Sequence, residues 1–206
     1  MKSAMNYITS SSLSPDSDIK LQRVLDRYTD GPITGVFTDG GASPNPGPGG
    51  WGYVHVESNR IITRGHGGSS DTTNNRMELT ALINAYQSLG GDAEINIYSD
   101  SNLCVQTINQ WAKGWAAKGW RRSGGPIANL ELVQLLYSEA LKRPKVRLQW
   151  IKAHNGKFLP NNDSFVNFRT ETIAFYALHK HILSAFYLGN SDVAYWFLHD
   201  RLIFLR

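Results

Sequence analysis

Between residues 32 and 154 the hydrophobic period switches between two and 3.6 in a fixed order, and that order restricts the fold more than any other feature of the 206 residues. Residues 33–38 read as a β-strand ending in Asp39-Gly40-Gly41. A Pro/Gly loop over 44–50 follows, then two strands, 53–56 and 61–63, joined by a tight turn at Ser58-Asn59-Arg60. Leu79, Leu82, Ile83, Tyr86 and Leu89 recur at helical spacing. They predict an amphipathic helix that starts near the cap candidates Thr72-Thr73-Asn74 and ends at Gly90-Gly91. Ile95 and Ile97 mark a strand that stops at Asp100. Ser101 is an N-cap candidate for a helix through Trp111, and Leu132, Leu135, Leu136 and Leu141 mark another helix. Val146, Leu148 and Trp150 alternate with polar residues in a last strand that runs up to His154. The order βββαβααβ predicts an α/β fold: a mixed five-stranded sheet flanked by helices. Its first strand is central, and later strands lie parallel to it through helical crossovers.

The flanks differ from this block. Residues 1–31 carry the polar cluster Ser10-Ser11-Ser12-Leu13-Ser14-Pro15-Asp16 and one short apolar-periodic piece (Ile19, Leu21, Val24, Leu25), an N-terminal extension expected to be partly disordered and loosely attached. Cys104 is the one cysteine, which excludes an intramolecular disulfide and a cysteine-built zinc cluster and points to a reducing, cytoplasmic setting. The N-terminus carries no signal-peptide pattern and no run is long and apolar enough for a membrane span. Lys and Arg (21) exceed Asp and Glu (17) by four, so a polyanionic partner is only hinted at by the total and must be read from where the charges fall.

Three acids occupy unusual places. Asp39 and Asp100 each end a strand, and Glu78 lies in the first turn of a helix beside its apolar stripe. Singly, each has a structural reading: Asp39 as a turn residue, Asp100 with Ser101 as a helix cap, Glu78 as a partner of the helix dipole. Jointly they point to the carboxyl edge of the sheet, where clustered carboxylates repel one another and require a hard cation, Mg²⁺ or Mn²⁺, to share a pocket. Gly47-Pro48-Gly49-Gly50-Trp51-Gly52 fits G-x-G-x-x-G, but it contains a proline and runs into strand residues instead of opening a helix. It is therefore no dinucleotide fingerprint.

Five strings resemble, in order and at about the right spacing, type 1 ribonuclease H in its bacterial form: Phe37-Thr38-Asp39-Gly40-Gly41, Asn45-Pro46-Gly47-Pro48-Gly49-Gly50-Trp51-Gly52, Thr73-Asn74-Asn75-Arg76-Met77-Glu78-Leu79, Tyr98-Ser99-Asp100-Ser101 and Trp150-Ile151-Lys152-Ala153-His154. The resemblance covers residues 33–154. It implies a ribonuclease H-like fold and a hydrolase, an endonuclease that cuts the RNA strand of an RNA–DNA hybrid with two divalent metal ions. It implies Asp39, Glu78 and Asp100 as catalytic metal ligands and His154 as a mobile histidine that assists proton transfer or product release. It also places Asn45 beside the substrate backbone, Asn74, Asn75 and Asn102 at the minor groove near the 2′-hydroxyls, and Thr73 and Asn129 near a DNA phosphate.

Residues 111–122 contain Trp111, Trp115 and Trp120 with Lys113, Lys118, Arg121 and Arg122 and no acid. Cations of this kind neutralise phosphates, and exposed aromatics pack on sugars or bases. The structural alternative is tryptophans packed on the domain with solvated cations. In the family a basic, tryptophan-rich protrusion that grips the DNA strand stands here, which implies Trp111, Trp115, Lys118, Trp120 and Arg121 as substrate contacts.

The pattern breaks after His154. The family supplies a fourth carboxylate about ten residues later, and here either Asp163 takes that position as a fourth catalytic metal ligand, the favoured choice, or Asn167 does. An asparagine there would bring no charge, which leaves a hybrid-binding module with impaired catalysis as the alternative function. The expected domain runs over 32–167. Residues 168–206 form an atypical tail rich in aromatics, with Phe175, Leu178, Ile182 and Phe186 at helical spacing. That tail is open to docking on the domain, to a membrane surface, to self-association of an otherwise monomeric chain, or to an origin outside the family sequence.

Overall fold

The computed structural model describes Ile19, Gln22, Arg23, Asp26 and residues 32–151. Five strands form one sheet: β1 (Gly35–Ala42), β2 (Gly47–Glu57), β3 (Arg60–Thr72), β4 (Asn96–Ser99) and β5 (Arg147–Trp150). Their order is β3-β2-β1-β4-β5. The first strand is central, as expected, with β2 and β3 antiparallel on one side and β4 and β5 parallel on the other. The helices are α1 (Asn74–Gln87), α2 (Asn102–Gln106), a π-helical turn (Thr107–Trp111), α3 (Ala112–Ala117) and α4 (Leu130–Leu141).

Three elements differ from the sequence expectation. β2 begins at Gly47, so the loop after β1 shrinks to residues 43–46 and the glycine-rich string lies in a strand. β3 runs to Thr72, far past residue 63, because Gly65, Gly67 and Gly68 pair with β2 without offering side chains for a hydrophobic pattern. The helix expected to end at Trp111 continues through the π turn into α3. The tight turn between β2 and β3 is a two-residue connection with left-handed Ser58 (φ 47°) and Asn59 (φ 66°), the combination that matches strand twist. Gln22 Nε2 donates to the Asn59 carbonyl at 2.9 Å, so this part of the N-terminal extension reaches the hairpin tip.

Burial follows the alternation of the strands. Val36, Trp51, Tyr53, Ile97 and Leu148 face the helices and pack with Met77, Leu82, Tyr86, Leu132 and Leu136 into the main core. Phe37, Val54 and Val56 are buried on the opposite face with Ile61 and Tyr98, and the Phe37 and Tyr98 rings stack at 5.2 Å. At the far end of the helical layer Arg143 donates to the Leu89 carbonyl (2.8 Å) and to Glu139 Oε2 (2.7 Å), joining the ends of α1 and α4. Among the described residues no helix is long and apolar enough to cross a membrane.

Candidate active site

β1 and β4 are parallel neighbours with Thr38 paired to Ser99, so Asp39 and Asp100, each the next residue, emerge side by side at the same edge of the sheet. Glu78 arrives from above, one turn into α1. The helix comes this close because Gly40 lies under the Met77–Glu78 peptide, where there is no room for a Cβ. One oxygen from each of Asp39, Glu78 and Asp100 lies within 4.8 Å of the others. Among the described residues this is the one His/Cys/Asp/Glu grouping able to hold a metal ion.

Burial, with the nearby charges of Asp39 and Asp100 adding to it, holds the Glu78 carboxyl well above its ordinary range. Glu78 Oε2 is buried without a hydrogen-bond partner. Three converging carboxylates whose like charges repel are the donor set a hard divalent cation takes, so the residues present fit such an ion. The scaffold beneath them is tied down. Gly40 N donates to Asp39 Oδ1 (2.8 Å), and the Asp100 carbonyl accepts from Trp150 Nε1 (3.1 Å) and from Asn102 N (3.0 Å). Cys104 lies beside the cluster with its thiol pushed up to about 12, chiefly by burial and further by Glu78 and Asp100, so in the ion-free protein it is protonated at neutral pH. Ser101 occupies the N-cap of α2 but makes no capping hydrogen bond with its side chain.

Polar residues singled out in the sequence gather where β1, the 43–46 loop and α1 meet. Thr73 caps α1, its Oγ1 accepting from Arg76 N at 3.4 Å. Asn74 Oδ1 accepts from Ala42 N (2.7 Å), and Asn74 N donates to Asn45 Oδ1 (3.2 Å), which locks the loop to the helix. Asn75 is exposed beside them, and Asn102 is exposed at the start of α2. Asn129 precedes α4 in a left-handed backbone conformation (φ 53°), and its Oδ1 accepts from Arg76 Nη1 at 3.2 Å.

In the basic segment Trp115 and Trp120 pack against the main core, Trp120 edge-on to Tyr137 with ring centroids 5.9 Å apart. Trp111 is half-buried and lies 5.8 Å from Trp115. Lys113, Lys118, Arg121 and Arg122 are exposed. The tryptophans therefore serve the core at least in part, as the structural alternative held, while the cations face solvent. His154, Asp163 and Asn167 lie outside the described residues. Sequence reasoning missed Arg76, Glu131, Trp150 and Gly40 as parts of the site. Arg76, Gly40 and Trp150 stood inside quoted motifs without a role, whereas nothing local marks Glu131.

A family model described as RNase H matches residues 32–167. Curated relatives include a Ribonuclease H of Chelativorans sp., 44% identical over 129 residues, 62% of this chain and 77% of the relative. Another is a Ribonuclease H of Agrobacterium fabrum, 44% identical over 131 residues, 62% of this chain and 86% of the relative. Among solved structures, LC9-RNase H1, described as a type 1 RNase H with the type 2 active-site motif, superposes with a TM-score of 0.54 at 26% identity, covering 73% of this chain and 74% of its own. LC11-RNase H1, solved with an RNA/DNA hybrid, shares the fold at a TM-score of 0.51 and 23% identity over 73% of this chain and 96% of its own.

Proposed function

The chain belongs to the RNase H family, and from that premise we propose that this ribonuclease H hydrolyses the RNA strand of RNA–DNA hybrids with two divalent ions, Mg²⁺ or Mn²⁺, at Asp39, Glu78 and Asp100. The observation that carries the reading is the convergence of those three carboxylates within 4.8 Å, with Glu78 Oε2 buried and its carboxyl pushed upward. The hybrid reported with LC11-RNase H1, a protein of the same fold, supports the choice of substrate.

Divalent ions bound here supply an activated water and steady the leaving oxygen of an in-line displacement. The chain's own part is binding and orientation. Asp39, Glu78 and Asp100 hold the ions, and Asp163 adds a fourth carboxylate. With Asn74 Oδ1 engaged by Ala42 N, its amide NH₂ is left to donate to a 2′-hydroxyl oxygen. Asn75 and Asn102 line the same groove, and Asn45 lies beside the substrate backbone. Thr73 and Asn129 take a phosphate of the DNA strand, and Lys118 and Arg121, with Trp111, Trp115 and Trp120 beneath them, contact its backbone. His154 assists proton transfer or product release.

The test is cleavage of end-labelled hybrid by the purified full chain with Mg²⁺ and separately with Mn²⁺. The reading predicts shortened RNA and intact DNA, and loss of cleavage with retained hybrid binding in Asp100→Asn. Intact RNA from a protein shown to be folded overturns it. The sequence ambiguity between Asp163 and Asn167 favours one second reading, a hybrid-binding module with impaired catalysis. Gain of cleavage in Asn167→Asp, with no loss in Asp163→Asn, identifies that case.

A further inference from the structure

Arg76 Nη1 donates at once to Asn129 Oδ1 (3.2 Å) and to Glu131 Oε1 (2.7 Å), joining the first turn of α1 to the start of α4 across a separation of more than fifty residues. Asn129 is in the N-cap position of α4, yet its side chain does not cap that helix. Its amide is committed to Arg76 instead. An amide whose oxygen is taken by a guanidinium presents its NH₂ on the opposite prong, as a donor only. The backbone at Asn129 is left-handed (φ 53°), a conformation asparagine adopts more readily than most non-glycine residues. Arg76 is three-quarters buried along its side chain, and Glu131 neutralises its charge, the Arg76 hydrogen bond holding the Glu131 carboxyl below its ordinary range. The outward-facing group is therefore the neutral NH₂ of Asn129.

We infer that Arg76 and Glu131 are a positioning pair that fixes the amide of Asn129 with its NH₂ toward a phosphate of the bound DNA strand, so that the pair sets affinity for the hybrid without itself contacting it. The inference rests on the proposed role of Asn129 at that phosphate. Without the pair the amide is free to turn, and half of its orientations place an oxygen against the phosphate. Because Arg76 is already neutralised, its contribution is one of geometry and does not release counterions.

The test is steady-state cleavage of the hybrid by the full chain and by Asn129→Ala, Arg76→Lys, Glu131→Gln and the double variant Glu131→Gln/Asn129→Ala, with KM measured across a salt series. Glu131 is largely exposed, so its isosteric replacement leaves the fold intact. Asn129→Ala raises KM about tenfold, the loss of one hydrogen bond to a charged group, with kcat held. Glu131→Gln and Arg76→Lys raise KM severalfold at an unchanged salt slope. The double variant is no worse than Asn129→Ala alone, because both remove one interaction. Glu131→Asp restores most of the affinity. If Asn129→Ala leaves KM unchanged, the phosphate role of Asn129 is wrong and the inference falls with it. If Asn129→Ala raises KM while Glu131→Gln and Arg76→Lys do not, that role stands and the positioning pair is refuted. Arg76→Lys keeps the charge, so a neutral Arg76→Gln is compared as well: if it lowers the salt slope by about one, Arg76 binds phosphate directly and the inference is also refuted.

Discussion

A Cβ placed on Gly40 would stand 2.3 Å from the backbone nitrogen of Glu78 and 2.2 Å from the carbonyl carbon of Met77. Both are backbone atoms within α1 and its packing, so no side chain can swing away to make room. The distance between Asp39 and Glu78 is thus set by a missing methyl group. Gly40→Ala must push α1 off β1, at an overpacking cost of about 2 kcal/mol or more. The variant should melt lower and, even where folded, cleave hybrid at least tenfold more slowly. Gly41→Ala is the control, since nothing lies within 4 Å of its Cβ position. Equal tolerance of the two substitutions would contradict this account.

Glu78 gives a stability prediction with a definite sign. Its carboxyl is raised above the ordinary 4.5, so the folded protein retains a proton that the unfolded chain releases. Stability therefore falls as pH rises from about 4.5 through the folded-state value, and the loss persists above it. Glu78→Gln removes the penalty. In chelator at pH 8 the variant should melt a few degrees above the parent, with the difference closing near pH 4. Mg²⁺ should raise the melting temperature of the parent more than that of the variant. A Gln variant less stable than the parent at pH 8 in chelator would show that the three carboxylates do not strain the ion-free protein.

Glu139 behaves oppositely. It is buried with its carboxylate on Lys142 Nζ and Arg143 Nη1, each at 2.7 Å, and the Lys142 hydrogen bond followed by that of Arg143 holds it below its ordinary range. The stabilisation is present above about 4.5 and is lost as pH falls through the depressed folded value. Glu139→Gln leaves Arg143 without its counter-charge and loosens its grip on the Leu89 carbonyl. Urea unfolding at pH 7 should show a loss of about 3 kcal/mol that shrinks in acid. A loss independent of pH would assign the effect to packing.

Much of this was written locally in the sequence. β1, α1 and α4 each carry an uninterrupted period, and the order of elements sufficed to put β1 at the centre. Asp39, Glu78 and Asp100 were legible because each sits in a compact string at a strand or helix end. β3 was under-read because Gly65, Gly67 and Gly68 pair through backbone alone and leave no alternation to detect. The continuation beyond Trp111 was missed because a π turn breaks the 3.6 period without breaking the helix. The supports of the site were hidden for another reason: Arg76 meets Glu131, and Trp150 meets the Asp100 carbonyl, across fifty or more residues, and no local pattern encodes a contact made only by the finished fold.

The basic segment yields a separation of roles that can be measured. Trp120 packs on the core and on Tyr137, while Lys118 and Arg121 are exposed. Trp120→Ala should therefore act on stability, by about 2 kcal/mol for a half-buried indole with an aromatic partner, and should change hybrid affinity only through the geometry of the segment. Lys118→Ala with Arg121→Ala should leave the melting temperature within a degree or two. If each cation neutralises one phosphate, the pair of substitutions lowers the slope of log affinity against log salt by about 1.8 in total. Hybrid-binding titrations at three or more salt concentrations, run beside thermal melts, separate the two effects. An unchanged slope would mean that the cations are only solvated.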